Sequence, residues 1–99
     1  PAGGDLRKLV AAAPEGKPLR LEFLRRDAAG VSVLQGTRLA DPKRRGDEPL
    51  LVLVSTSLAL VRGRPVNLSI YISFDDPADW EWLQLATRRW LEQIQRLNQ

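Results

Sequence analysis

The run Val66-Asn67-Leu68-Ser69-Ile70-Tyr71-Ile72-Ser73-Phe74, followed directly by Asp75-Asp76-Pro77-Ala78-Asp79-Trp80, decides the fold. Val66, Leu68, Ile70, Ile72 and Phe74 share one face of an extended chain, and Asn67, Ser69, Tyr71 and Ser73 share the other. Side chains alternate across a strand, so this unbroken pattern predicts a strand with one core face and one wetter face. The alternation stops at Asp76. There a carboxylate N-cap, a proline suited to the first helical position and Asp79 in the first turn predict a helix start. The helix is expected to run to about Leu97, with Asn98 as its C-terminal stop. At about 100° per residue, Trp80, Leu83, Ala86, Trp90, Leu91, Ile94 and Leu97 form one stripe that should cross the apolar sheet face. Trp82 and Leu85 fall outside it.

Working back from this unit, Arg62-Gly63-Arg64-Pro65 turns the chain, and Leu50 to Val61 reads as a long third strand. Its pattern is unlike the fourth. Leu50, Val52, Val54, Leu58 and Leu60 lie on one face, and Leu51, Leu53, Ala59 and Val61 on the other. A strand apolar on both faces is expected to be central and covered on each side. The N-terminal helix, or another subunit, would cover the second face. Earlier still, Leu19, Leu21 and Phe23 alternate with Arg20 and Glu22 as a half-buried first strand, Asp27-Ala28-Ala29-Gly30 forms a turn, and Val31 to Leu39 returns as the second. Residues 41–49 form a polar loop bounded by Pro42 and Pro49. At the start, Pro1 to Gly4 reads as a loose end, and Asp5 caps a short helix from Leu6 to Ala13. Leu6, Leu9, Val10 and Ala13 are its apolar side, and Pro14 ends it. The expected whole is one α+β domain over residues 1–99: a four-stranded antiparallel meander, a short N-terminal helix, and a long C-terminal helix packed on the sheet.

Composition narrows the chemistry. Ninety-nine residues suffice for one core and not for two. The absence of His removes the commonest general base, metal ligand and pH switch together. With Cys also absent, the usual zinc sites are disfavoured. A nucleophilic Ser among Ser55, Thr56 and Ser57 would need a lysine or carboxylate partner, and Lys8, Lys17 and Lys43 all lie in outlying segments. Strand polarity or a bulge is the plainer reading. Asp75, Asp76 and Asp79 could hold a divalent ion, yet their spacing is what helix capping demands, and no second cluster supplies further ligands. No catalytic, cofactor or metal residue is therefore assigned, and an enzyme is not expected. The chain has no Met, as after removal of an initiator or in a fragment of a larger protein, and no run approaches the roughly 20 apolar residues of a membrane span.

Two surface features carry the remaining expectations. Trp82, Leu85 and Arg89 are spaced i, i+3 and i+7 on the helix flank outside the core stripe, where an exposed Trp marks a partner-binding surface or packs on a sheet edge. Tyr71, on the polar strand face, is a further partner-binding candidate. Twelve of the 15 basic residues are Arg, from phosphate or carboxylate recognition or simply from a GC-rich genome. In a meander the turns near 27–30 and 62–65 share one sheet end, so Arg25, Arg26, Arg62 and Arg64 form an anion-binding candidate. Lys43-Arg44-Arg45 would lie at the other end. The groups do not merge into the continuous stripe a nucleic-acid footprint prefers.

The segment from Val61 through Arg62-Gly63-Arg64 to Tyr71, with Asp79, Trp82 and Trp90 beyond it, resembles the C-terminal ends of poorly characterised bacterial envelope-associated proteins. The strand-then-terminal-helix order is also similar to the Mog1/PsbP-like fold, from which the chain departs in lacking a helix between its second and third strands. The resemblance covers roughly 40 residues and carries over no site residue. It implies a non-enzymatic binding or assembly module, in the soluble part of a bacterial envelope protein, with a periplasmic or envelope setting favoured over a cytoplasmic one. The expected partner is another protein or a second copy of the chain, as a homodimer, and no small-molecule cofactor is expected. The alternative is a basic module that binds nucleic acid or anionic lipid through the turn arginines, the latter as a peripheral membrane contact.

Overall fold

The computed structural model describes residues 3–27, 30–40 and 50–97, with the side chains of residues 23–27 outside that description. The element order is α1 (Gly3–Ala12), β1 (Leu19–Asp27), β2 (Gly30–Leu39), β3 (Leu50–Val61), β4 (Arg64–Ser73) and α2 (Ala78–Leu97). The strands form one antiparallel sheet in the order β1-β2-β3-β4. This is the expected α+β meander with a short N-terminal and a long C-terminal helix. Residues 41–49, including Lys43-Arg44-Arg45, lie outside the described residues, as do Ala28, Ala29 and the Asn98 stop.

The α2 start follows the capping chemistry. Asp76 Oδ1 accepts a hydrogen bond from the Ala78 N–H at 2.8 Å, and Asp79 Oδ2 accepts from the N–H groups of Asp75 and Asp76, each at 3.0 Å. Donors left bare at a helix start are thus satisfied by two carboxylates. The β3–β4 hairpin is a two-residue turn with Arg62 at φ 51° and Gly63 at φ 77°, closed by the Val61–Arg64 pair. Two successive positive φ values match the twist of the flanking strands.

Both helices pack on the same sheet face. α1 meets β2 and β3, and α2 meets β3 and β4. The face they cover carries Leu34 of β2, Leu51 and Leu53 of β3, and Ile70 and Ile72 of β4, joined by Leu6, Val10, Phe74, Trp80 and Leu83 in one core. α1 therefore does cover the Leu51/Leu53 face, but in company with α2. The other face of β3, with Val52, Val54, Leu58 and Leu60, is left without a layer from the described residues.

Small residues select the covered face. A Cβ at Gly36 of β2 would overlap Val10, so the missing side chain is what lets α1 settle on the sheet. Ser32, Ser55 and Ser57 are buried there too, and all find partners. Ser32 and Ser57 share a hydrogen bond at 2.9 Å. Thr87 Oγ1 lies 2.7 Å from the Leu83 carbonyl and 2.8 Å from Ser55 Oγ. A hydroxyl has one proton, so Thr87 donates to the carbonyl and accepts from Ser55. The serines of β3 thus reflect burial under α2 rather than a bulge, since the β3 register is continuous on both sides.

Several expectations need correction. α1 begins at Gly3, so Asp5 lies in its first turn rather than at the cap, and Leu9 is exposed while Leu6, Val10 and Ala13 are buried. On α2, Trp80, Leu83 and Leu91 are buried with Thr87, but Trp90 and Leu97 are not; Trp90 is 47% exposed. The buried arc is centred near Thr87, and Trp90 lies about 60° round the helix from it, on the side of the β4 edge. β1 is interrupted by register shifts between Arg20 and Glu22 and between Phe23 and Arg25, which break its apparent alternation.

Candidate functional site

The middle of α2 is set by contacts on both sides of it. Gln84 Nε2 donates to Glu22 Oε2 of β1 at 2.7 Å, Thr87 engages Ser55 of β3, and Gln95 Nε2 donates to the Leu60 carbonyl at 3.0 Å. These contacts hold the helix over β3 and the inner side of β4. One flank then overhangs the β4 edge. Between that flank and Ile70 runs a groove of about 360 Å³, lined by Trp82, Ala86, Arg89, Trp90 and Gln93.

The groove brings together two of the expected partner-binding residues and separates the other two. Trp82, 53% exposed, and Arg89 both line it. Leu85 does not. It is two residues from both Leu83 and Thr87, hence about 200° round the helix from each, and faces away from the sheet beside Glu81, Gln84 and Arg88. Tyr71, 69% exposed, stands on the opposite sheet face from the helices, paired across to Val54. Trp90 belongs to the groove and was assigned to the core by its helical angle alone. Its signal in the sequence is symmetry: Trp82 and Trp90 each stand four residues from Ala86.

Tyr71 instead joins the open sheet face. Leu58 and Leu60 there are 43% and 46% exposed, beside the partly buried Val31, Val33, Val52 and Val54. The turn arginines are brought only partly together. The β1–β2 and β3–β4 connections do lie at one sheet end, with Arg25 opposite Ser32, Arg26 opposite Val31, and exposed Arg62 and Arg64 flanking Gly63. Two strand spacings separate the hairpins, which is about 10 Å.

Among the described residues, no group of three or more acidic residues is arranged to hold a metal ion, and no helix is long and apolar enough to cross a membrane. Two of the three acids at the α2 start, Asp76 and Asp79, are occupied with backbone N–H groups. What the groove offers is two half-exposed indoles, an arginine and an amide beside a strand that pairs on one side only among the described residues. No family model, curated protein or solved structure matches the sequence.

Proposed function

We propose that this chain is a non-enzymatic protein-binding or assembly module that works through the groove between α2 and the β4 edge. One observation carries the reading. Trp82 and Trp90 stand about half exposed on the same helix flank, over an edge strand, in a domain with buried positions for its third Trp. Exposed Trp residues beside Arg are the composition of binding hot spots, and a strand edge supplies backbone donors and acceptors to any extended segment laid along it. Leu85 and Tyr71 then fall outside the binding surface. Placement at a bacterial envelope belongs to the same proposal, and rests on the C-terminal resemblance.

A random-peptide display against the immobilised chain, repeated with Trp82→Ala, tests this. Peptides that bind the native chain and lose at least tenfold in affinity to the variant support it. Binders indifferent to the substitution, or no binder and no self-association, overturn it. A second reading has its own support. The shared sheet end of the two hairpins makes a local cationic site for phosphate headgroups or nucleic acid, and its binding would fall steeply with salt.

A further inference from the structure

The two edges of the sheet are built differently. β1 carries two register shifts and the charged residues Arg20, Glu22, Arg25, Arg26 and Asp27. These are the devices that keep an edge from pairing with another chain. β4 has none of them from Val66 to Ser73: no charge, no lysine and an unbroken register. The Phe74 N–H donates to the Leu51 carbonyl at 2.7 Å, continuing that register. Antiparallel bonding alternates along a strand. The even-numbered residues of β4 therefore bond to β3, and Asn67, Ser69, Tyr71 and Ser73 aim N–H and C=O outward. Pro65, which has no N–H, falls in the outward set, so with Arg64 it blunts the turn end of the edge and leaves Val66 to Ser73 open.

The helix flank above this edge carries its two tryptophans symmetrically. Ala86 is its centre, with Trp82 and Trp90 four residues away on either side, and Asp79 and Gln93 seven away. Charge along the helix is polarised. Asp75, Asp76, Asp79 and Glu81 gather at its start, while in its second half Arg88, Arg89 and Arg96 outnumber Glu92. Such a helix is complementary to an antiparallel copy of itself. Ile70, inside the uncharged run of β4, lines the groove together with Ala86, so the two centres nearly coincide.

We propose that the groove is filled by a second copy of this chain, across a two-fold axis that passes by Ile70 and Ala86. The inference rests on the proposed binding role of the groove and names its occupant. β4 pairs antiparallel with β4 of the partner subunit, joining the two four-stranded sheets into one, and the two α2 helices lie side by side on the same face. Trp82 packs on the partner subunit's Trp90, and Gln93 comes level with the partner subunit's Asp79. Spacing supports the fit. A helix seated over the β3–β4 boundary stands about 4.8 Å from the new seam, which puts the two axes about 10 Å apart, a normal packing distance. Ala86 at the crossing allows that approach.

Light scattering and sedimentation with Ala86→Glu and Ala86→Lys test the arrangement, because residue 86 would meet its own copy. The native chain should have twice its monomer mass of 11.1 kDa. Each variant should keep its helical circular dichroism but weaken self-association about 100-fold, as like charges meet at the axis. An equimolar mixture of the two variants should recover the doubled mass. A native chain monomeric up to about 1 mM, dimers indifferent to either charge, or a mixture that stays monomeric would each overturn the proposal. A monomeric native chain whose displayed peptides still depend on Trp82 would sink the dimer alone and leave the binding role standing.

Discussion

Thr87 and Ser55 hydrogen-bond to each other at 2.8 Å between the middle of α2 and the middle of β3, both buried. The pair sits directly inside the groove flank, so the overhang of Trp82 and Trp90 depends on it. Thr87→Val keeps the shape but leaves the Ser55 hydroxyl without its acceptor, and burying an unpaired polar group costs about 1–3 kcal/mol. Ser55→Ala removes the partner instead. Combining the two should cost less than the sum of the singles, because no orphan remains. Urea denaturation of the four species measures the coupling, and strict additivity would show that the pair does not act as a unit.

The three tryptophans should separate in the same assay. Trp80 is only 4% exposed and lies in the core, so Trp80→Ala should cost about 3–5 kcal/mol, a large part of a small domain's stability. At concentrations low enough to dissociate any dimer, Trp82→Ala should stay within about 0.5 kcal/mol, as surface substitutions usually do. Trp90, half exposed against β4, should fall between them. A Trp82 variant as unstable as the Trp80 variant would mean that Trp82 belongs to the core.

The meander, the strand boundaries and the α2 start were readable from sequence because each rests on local chemistry: period-two alternation in β4, turn residues at Arg62-Gly63, and the Asp76-Pro77-x-Asp79 cap. The core face of β4 was readable, but β3 taken alone points to the opposite face. By apolar count the Leu50/Val52/Val54/Leu58/Leu60 face of β3 is the stronger, yet the helices lie on the other. What decides is space, supplied by Gly36, Ser32, Ser55 and Ser57, which lie on two strands far apart in sequence. The same blindness misplaced Trp90. A stripe centred on apolar residues alone passes over Thr87, the middle of the buried arc, and so runs round to the indole. Trp82 lies outside the core as its spacing indicates, but separating it from Leu85 needs the position of β4, which only the tertiary structure supplies.

Gly36 offers a direct test of the spatial argument. A methyl group there would overlap the Val10 side chain of α1. Gly36→Ala should therefore destabilise by about 1–3 kcal/mol through overpacking, although alanine suits a strand no worse than glycine. Val10→Ala also destabilises alone, by emptying a buried site. The double variant should be more stable than the sum of the two losses predicts, since the new methyl occupies space the valine vacates. Thermal melts decide it, and additive losses would mean that α1 shifts off the sheet rather than clashing with it.

Arg62 separates stability from the second functional reading. It holds φ 51°, a left-handed conformation that costs an ordinary L-residue about 1–2 kcal/mol and that Asn tolerates better. Asn-Gly is also the preferred pair for a two-residue hairpin of this kind. Arg62→Asn should accordingly raise stability by about 0.5–1 kcal/mol. If the sheet end with Arg62 and Arg64 holds phosphate groups, the same substitution should weaken binding to anionic vesicles or single-stranded nucleic acid and flatten its salt dependence by about one charge. A variant that gains stability and binds polyanions as before would remove Arg62 from any anion site. A variant that loses stability would instead show that the arginine side chain contributes more to the hairpin than its backbone conformation costs.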